Sequence, residues 1–239
     1  MILSRLSRAI REQNWFAVAI EFVIVVAGVV IGFQINGWNN DRIERTREAV
    51  ILCRLQEEFA RIEADVLQHV ADAETTLTGA QAIRDNALRG MRIEDISRHS
   101  QTAVTLRAPP AGSATYAQLV SSGEMGLIRS RELREALTDY GEYAARHQRA
   151  GTDLSNMLMS SAGAVYRTIG LTDEQIDLMP PALRDELQAF VGSNEFMLAA
   201  RSMEILAQNN FDWKQNTATR VHAVTAILAT QTAHCGGDE

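Results

Sequence analysis

The stretch that most constrains this chain is AIEFVIVVAGVVIGFQINGWNNDR, Ala19 to Arg42. Between Trp15 and Phe33 the only charged residue is Glu21. About twenty consecutive apolar residues carry a helix across a bilayer core, where lipid offers no partner to an open backbone group. Trp15 and Trp38 bracket the run, where aromatic rings settle between hydrocarbon and water. Gln34, Asn36, Asn39 and Asn40 follow and suit a helix emerging among headgroups. A cleaved signal peptide would have a shorter apolar region followed by a small-residue cleavage site, and here the amides follow the run directly with no A-x-A pattern after it. An uncleaved signal anchor over residues 15–38 is expected, after a short basic tail over 1–14.

Arg5, Arg8 and Arg11 precede the span, and Arg42, Arg45 and Arg47 follow it. The positive-inside count is therefore nearly balanced. The N-terminal tail is net basic, whereas Asp41, Glu44 and Glu48 dilute the far side. The expected orientation places the N-terminus in the cytoplasm and the rest of the chain outside it.

At 100° per residue, Ala17, Glu21, Gly28, Gly32, Asn36 and Asn39 fall on one stripe of the span. Gly28 and Gly32 form a G-x-x-x-G pair, which lets two helix backbones approach closely. A carboxylate inside a span costs roughly 3 kcal/mol or more. Three readings of Glu21 stay open: snorkelling to the nearby cytoplasmic surface, pairing with a partner helix, or a proton- or ion-coupled role. The partners implied are the lipid bilayer and, through this stripe, a second copy or another membrane protein.

Beyond Trp38 the pattern is helical. Leu52, Leu55, Phe59, Ile62 and Val66 alternate spacings of three and four, and the series resumes at Val70, Ala73, Leu77 and Ala80. This is a coiled-coil-like seam with one stutter near His69. No proline precedes Pro109, so one helix is predicted to run from the span to about Arg89, with Gly90 ending it. A short amphipathic piece follows around Ile93 to His99, then a loop, RAPPAGSAT. Ser113 or Thr115 would cap a short helix stopped by Gly123. Ser130 would cap a long helix ending at Gly170. Thr172 and Gln175 offer a capping box, Pro181 suits a first helical position, and a last helix is predicted from Ser193 to about Thr232, before a polar tail over 233–239. No strand is expected. The fold class is all-α: a single transmembrane helix continuing into a long helix that packs in an extramembrane helical bundle over 39–232.

Two motifs resemble an uncharacterised, domain-of-unknown-function family of bacterial single-pass membrane proteins. The first is IEFVIVVAGVVIGFQINGWNNDR, with its embedded Glu, its small-x-x-x-small pair and its G-x-Q-x-N-x-W-N pattern. The second is ATYAQLVSSGEMGLIRSRELREALTDYGEY, carried by Tyr116, Leu119, Ser122, Gly123, Leu127, Ile128, Leu133, Leu137, Tyr140 and Tyr143. Gly141 departs from it, since the family often places a second adjacent tyrosine there. The resemblance implies a membrane anchor with a helical domain and assigns no residue a catalytic role.

The residues themselves offer little chemistry. Asp65, His69 and Asp72 share a helix face, but carboxylate-bundle metal sites use Glu-x-x-His on paired helices, so no metal is expected. SSGEMG lacks the order and preceding strand of a nucleophile elbow, and no phosphate or dinucleotide loop occurs. No catalytic residue and no cofactor are expected. Tyr116, Ser122, Gly123, Tyr140 and Tyr143 form a candidate pocket, with a packed core as the plainer reading. Arg129, Arg131 and Arg134 are read as a solvated helix face. A net charge of −7 argues against nucleic acid. Cys53 and Cys235 are too few for a disulfide framework. One bond between them would need an oxidising compartment, and spacing alone does not pair them. The function expected is a membrane-anchored helical interaction or scaffold protein of the bacterial envelope. The alternatives are a sensor-like ligand-binding module and an ion-coupled accessory subunit using Glu21.

Overall fold

The computed structural model describes residues 15–90, 92–95, 99, 103, 112–161, 171–232 and 235. Trp15, Ala17, Asp173 and residues 150–161 are described by their backbone alone. The tail 1–14, most of the loop RAPPAGSAT, the approach to Gly170 and the tail 233–239 apart from Cys235 lie outside the described residues, as does part of the piece from Ile93 to His99.

Every element among the described residues is helical. The order is α1 (Trp15–Leu88), α2 (Ala114–Ser122), a 3-10 turn (Glu124–Leu127), α3 (Arg131–Ser161), α4 (Asp173–Asp177), α5 (Pro181–Val191) and α6 (Asn194–Gln231). The caps follow local chemistry. Ser113 accepts from the Tyr116 amide at the start of α2, and Gly123 closes it at φ 72°, a left-handed conformation open to a residue without Cβ. Ser130 accepts from the Leu133 amide at the start of α3. Thr172 and Gln175 form a reciprocal capping box on α4, and Pro181 opens α5. Ser193 caps α6. Gly90 takes φ 78° just beyond α1.

The chain forms two compact units, one ending at Val50 and one starting at Ile51. In the first, α1 is long and apolar enough to cross a membrane, and none of its most apolar window is buried. In the second, the larger core cluster joins Leu52, Leu55, Phe59, Ile62 and Val66 of α1 to Leu133, Leu137 and Tyr140 of α3 and Val221, Val224 and Leu228 of α6. Leu119 and Ile128 close one side. A second cluster gathers Ile83, Ala103, Val191, Phe196, Ala200 and Met203. Leu77, Ala80 and Ala207 form a small cluster of their own. Each large side chain so buried contributes about 1.5–3 kcal/mol. The seam predicted on α1 is thus the packed one.

Helices α1 and α6 run antiparallel. Cys53 bonds to Cys235, Thr225 Oγ1 donates to Glu63 at 3.0 Å, and Arg84 pairs with Glu204. Arg184 of α5 pairs with Glu94, and the Ile93 amide donates to Gln188, so the segment after α1 is tied to α5.

Candidate functional site

On α1 the predicted stripe is solvent-facing. Glu21, Gly28, Gly32, Asn36 and Asn39 are all exposed. Ala17 is in the helix, with its side chain outside the description. A Cβ added at Gly28 or Gly32 would meet nothing within 4 Å among the described residues. Gly32, Asn36 and Asn39 also line a shallow recess with Ile35, Trp38 and Arg42. The face therefore offers a notch where glycine lacks a side chain, edged by amides that can donate and accept.

The five candidate pocket residues stand in different surroundings. Tyr140 is buried in the core, edge-to-face on Phe59 at 5.0 Å between ring centroids. The Ser113 backbone hydrogen-bonds its hydroxyl, and burial pushes its pKa up. Tyr116 packs against Tyr140 at 6.2 Å. Its ring lies on the backbone of α3 at Gly141, where a Cβ would stand 2.1 Å from the hydroxyl oxygen. Gly141 is thus a glycine in mid-helix because a ring occupies its side-chain space. Tyr143 turns elsewhere: the Arg220 guanidinium stacks 4.0 Å from its ring centroid, and Arg220 also reaches Asp139 at 3.0 Å. Ser122 is exposed and hydrogen-bonds Glu124, while Gly123 serves only as the α2 cap. The recess lined by Met125, Arg131, Arg134, Glu135, Thr138, Asp139 and Glu142 includes none of the five. Of the arginines read as a solvated face, Arg131 pairs with Glu135, and Arg134 donates to the carbonyls of Ile128 and Arg129. Asp65 is exposed, with His69 and Asp72 half-buried. Among the described residues no cluster of three metal-ligating side chains forms.

Two polar centres escaped the sequence reading. The first is Glu58. Its Oε2 accepts from Ser113 Oγ at 2.6 Å and the Thr115 amide at 3.1 Å, and its Oε1 accepts from Thr115 Oγ1 at 2.7 Å. A carboxylate at the start of α2 meets both the capping hydroxyl and the positive end of the helix dipole. Burial raises its pKa, but the bonds from Ser113 and Thr115 and the nearby Arg61 outweigh that and leave it lowered. A carboxylate with a lowered folded pKa contributes stability above its unfolded value and loses it as pH falls through the folded value. Three charge-assisted bonds, discounted for partial exposure, are worth about 1–2 kcal/mol. The denaturant midpoint should therefore hold from neutral pH down to the ordinary value of 4.5 and fall below it as Glu58 protonates. Glu58→Gln should lower the neutral-pH midpoint and flatten the acid limb; an unchanged acid limb would remove Glu58 from its cause.

The second centre is a polar layer through the bundle. Asn210, Lys214 and Thr217 of α6 are all buried, Lys214 to 5% exposure. Thr217 Oγ1 lies 3.4 Å from His147 Nδ1, and His147 packs edge-on to Trp213 at 5.3 Å. Burial, then the charge of Lys214, holds the His147 pKa below its ordinary value. The signal was present in the sequence. Met203, Ala207, Asn210, Lys214, Thr217, Val221, Val224 and Leu228 keep an unbroken alternation of four and three. The polar residues occupy seam positions, and Lys214 is the only lysine in the chain. By the register of the Glu63–Thr225 and Arg84–Glu204 contacts, Lys214 stands about level with Glu74 of α1.

No family model, no curated protein and no solved structure matches the chain. What the fold defines is a helical bundle with a long N-terminal apolar helix.

Proposed function

We propose that this is a membrane-anchored interaction or scaffold protein of the bacterial envelope. Its apolar stretch crosses the inner membrane once, with the N-terminus cytoplasmic and the bundle outside. The chain associates with itself or another membrane protein through the Glu21–Gly28–Gly32 face and the bundle. One observation carries the reading: the apolar run of α1 is exposed throughout, while the residues from Ile51 onward complete a core of their own. An exposed apolar stretch of that length has no place in water and suits lipid. The Cys53–Cys235 bond supports the orientation, because such bonds persist in oxidising compartments and are rare in the cytosol. The open notch at Gly28 and Gly32 supports association through the span.

Gentle extraction from native membranes, with mass measurement and identification of everything recovered, tests it. A multiple of the chain's own mass, or a second membrane protein in fixed ratio, is the expected result. Replacing Gly28 and Gly32 together by Ile fills the notch and should weaken association at least about tenfold, or roughly 1.4 kcal/mol. Recovery of a lone monomer, unaffected by that double change, would defeat the association reading. Glu21→Gln should preserve association if the carboxyl is structural.

A further inference from the structure

We propose that Cys53 and Cys235 are the substrate of a thiol–disulfide oxidoreductase of the cell envelope, which closes their bond after export as the final step of bundle assembly. This rests on the orientation proposed above. Cys53 sits on α1 between the buried Leu52 and Leu55. Cys235 lies just beyond α6, and its position is built by packing. Thr232 is buried, and both its amide and its hydroxyl donate to the Leu228 carbonyl, at 3.0 and 2.6 Å. The Cys235 amide then donates to the Thr232 carbonyl at 2.9 Å, which ties it to that buried cap. Leu228 belongs to the same core cluster as Leu52 and Leu55. Docking α6 on α1 therefore brings the two Cα atoms to 5.6 Å, a span two cysteine side chains bridge.

The order of events follows from that placement. The cysteines are 182 residues apart, so no local turn brings them together. Cys235 follows the last helix, which must be outside the membrane and docked before the sulfurs meet. The chain has two cysteines, so only one intramolecular pairing exists, and the step needs an oxidant but no isomerase. Both residues are half-buried, within reach of a reagent. Cys235, just beyond the end of α6, is assigned as the thiol that meets the oxidant; Cys53, within α1, is the resolving thiol.

The chemistry is two exchange steps. The Cys235 thiolate attacks the disulfide of the oxidoreductase, forming a mixed disulfide and expelling one enzyme thiolate. The Cys53 thiolate then attacks the Cys235 sulfur, forming the Cys53–Cys235 bond and expelling the second enzyme thiolate. Two electrons pass from the chain thiols to the enzyme. It leaves as a dithiol, its protons matching those the chain thiols gave up.

The test uses the full chain in its native membranes, with an alkylating reagent that adds mass at free thiols. Without prior reduction no label should enter, and after reduction both cysteines should take it. Cys53→Ser should accumulate a reductant-sensitive adduct through Cys235, of higher mass by one partner protein, and Cys235→Ser should give several-fold less. Label on both thiols in unreduced membranes overturns the proposal, and equal adducts from the two variants overturn the assigned order. Protease access to the bundle from the outer side of intact inner-membrane spheres separates the failures. Free thiols on an accessible bundle refute the oxidation alone, whereas free thiols on a protected bundle refute the orientation beneath it.

Discussion

Phe59→Ala lowers the stability of the bundle by about 3–5 kcal/mol, the cost of removing a buried aromatic side chain and leaving a cavity. Phe59 has no exposed surface and stands in the larger core cluster, in contact with the Tyr140 ring. Its loss removes contacts from α1 and α3 together. The edge-to-face pair adds about 0.5–1.5 kcal/mol to simple burial. For a unit of this size each kcal/mol moves the melting temperature by about 2–4 °C, so a fall of roughly 6–20 °C is expected. Leu67→Ala is the matched control. Leu67 is on the same helix at 58% exposure, and its truncation should stay within about 0.5 kcal/mol. Denaturant titration of both variants in detergent checks the pair. Equal effects would mean that the packed face of α1 has been assigned to the wrong residues.

Reduction of the Cys53–Cys235 bond has the next largest effect. A cross-link removes conformational freedom from the unfolded chain, and more for longer loops. Here the bond spans 182 residues. The usual contribution is about 2–4 kcal/mol, or roughly 5–15 °C in melting temperature. Thermal melts with and without reductant measure it directly. The Cys53→Ser, Cys235→Ser double variant should melt at the reduced protein's temperature and ignore reductant. A wild-type melt that reductant leaves in place would mean the bond carries no folding free energy.

The helix ends and the α1 seam could be read from the chain because their causes are local. Ser113, Ser130, Ser193, Thr172 with Gln175, Pro181, Gly90 and Gly123 act within three or four residues of their own position, and each stands where such a residue caps or stops a helix. The core positions from Leu52 to Ala80 follow from a period that one strand of sequence reveals. The candidate pocket was a different kind of expectation. It asked which way Tyr116, Tyr140 and Tyr143 turn once α2 and α6 reach α3. Tyr140 and Tyr143 are three apart on one helix, yet the first meets Phe59 and the second meets Arg220. The neighbour that separates them lies on another helix, so spacing could not.

The span face is legible as a pattern of residues, with Glu21, Gly28, Gly32, Asn36 and Asn39 exposed together. The polar layer was legible in principle. Continuing the four-and-three alternation of α6 down from Leu228 places Thr217, Lys214 and Asn210 on the seam. A reading that takes polarity as a sign of exposure passes over them.

By itself the sequence determined the class of the protein: an all-helical chain, an apolar run long enough for a bilayer, most of its helix caps and the buried face of the first helix. Helix propensity, capping and apolar periodicity act over one or two turns, so a single chain displays them. Only the tertiary structure decided which distant residues meet. It paired Cys53 with Cys235, joined Glu58 to Ser113 and Thr115, laid the Tyr116 ring on Gly141, and set Thr217 beside His147. Each of these depends on the register between segments far apart in the chain. Register is set by the packing of whole helix faces, which no local stretch of sequence contains.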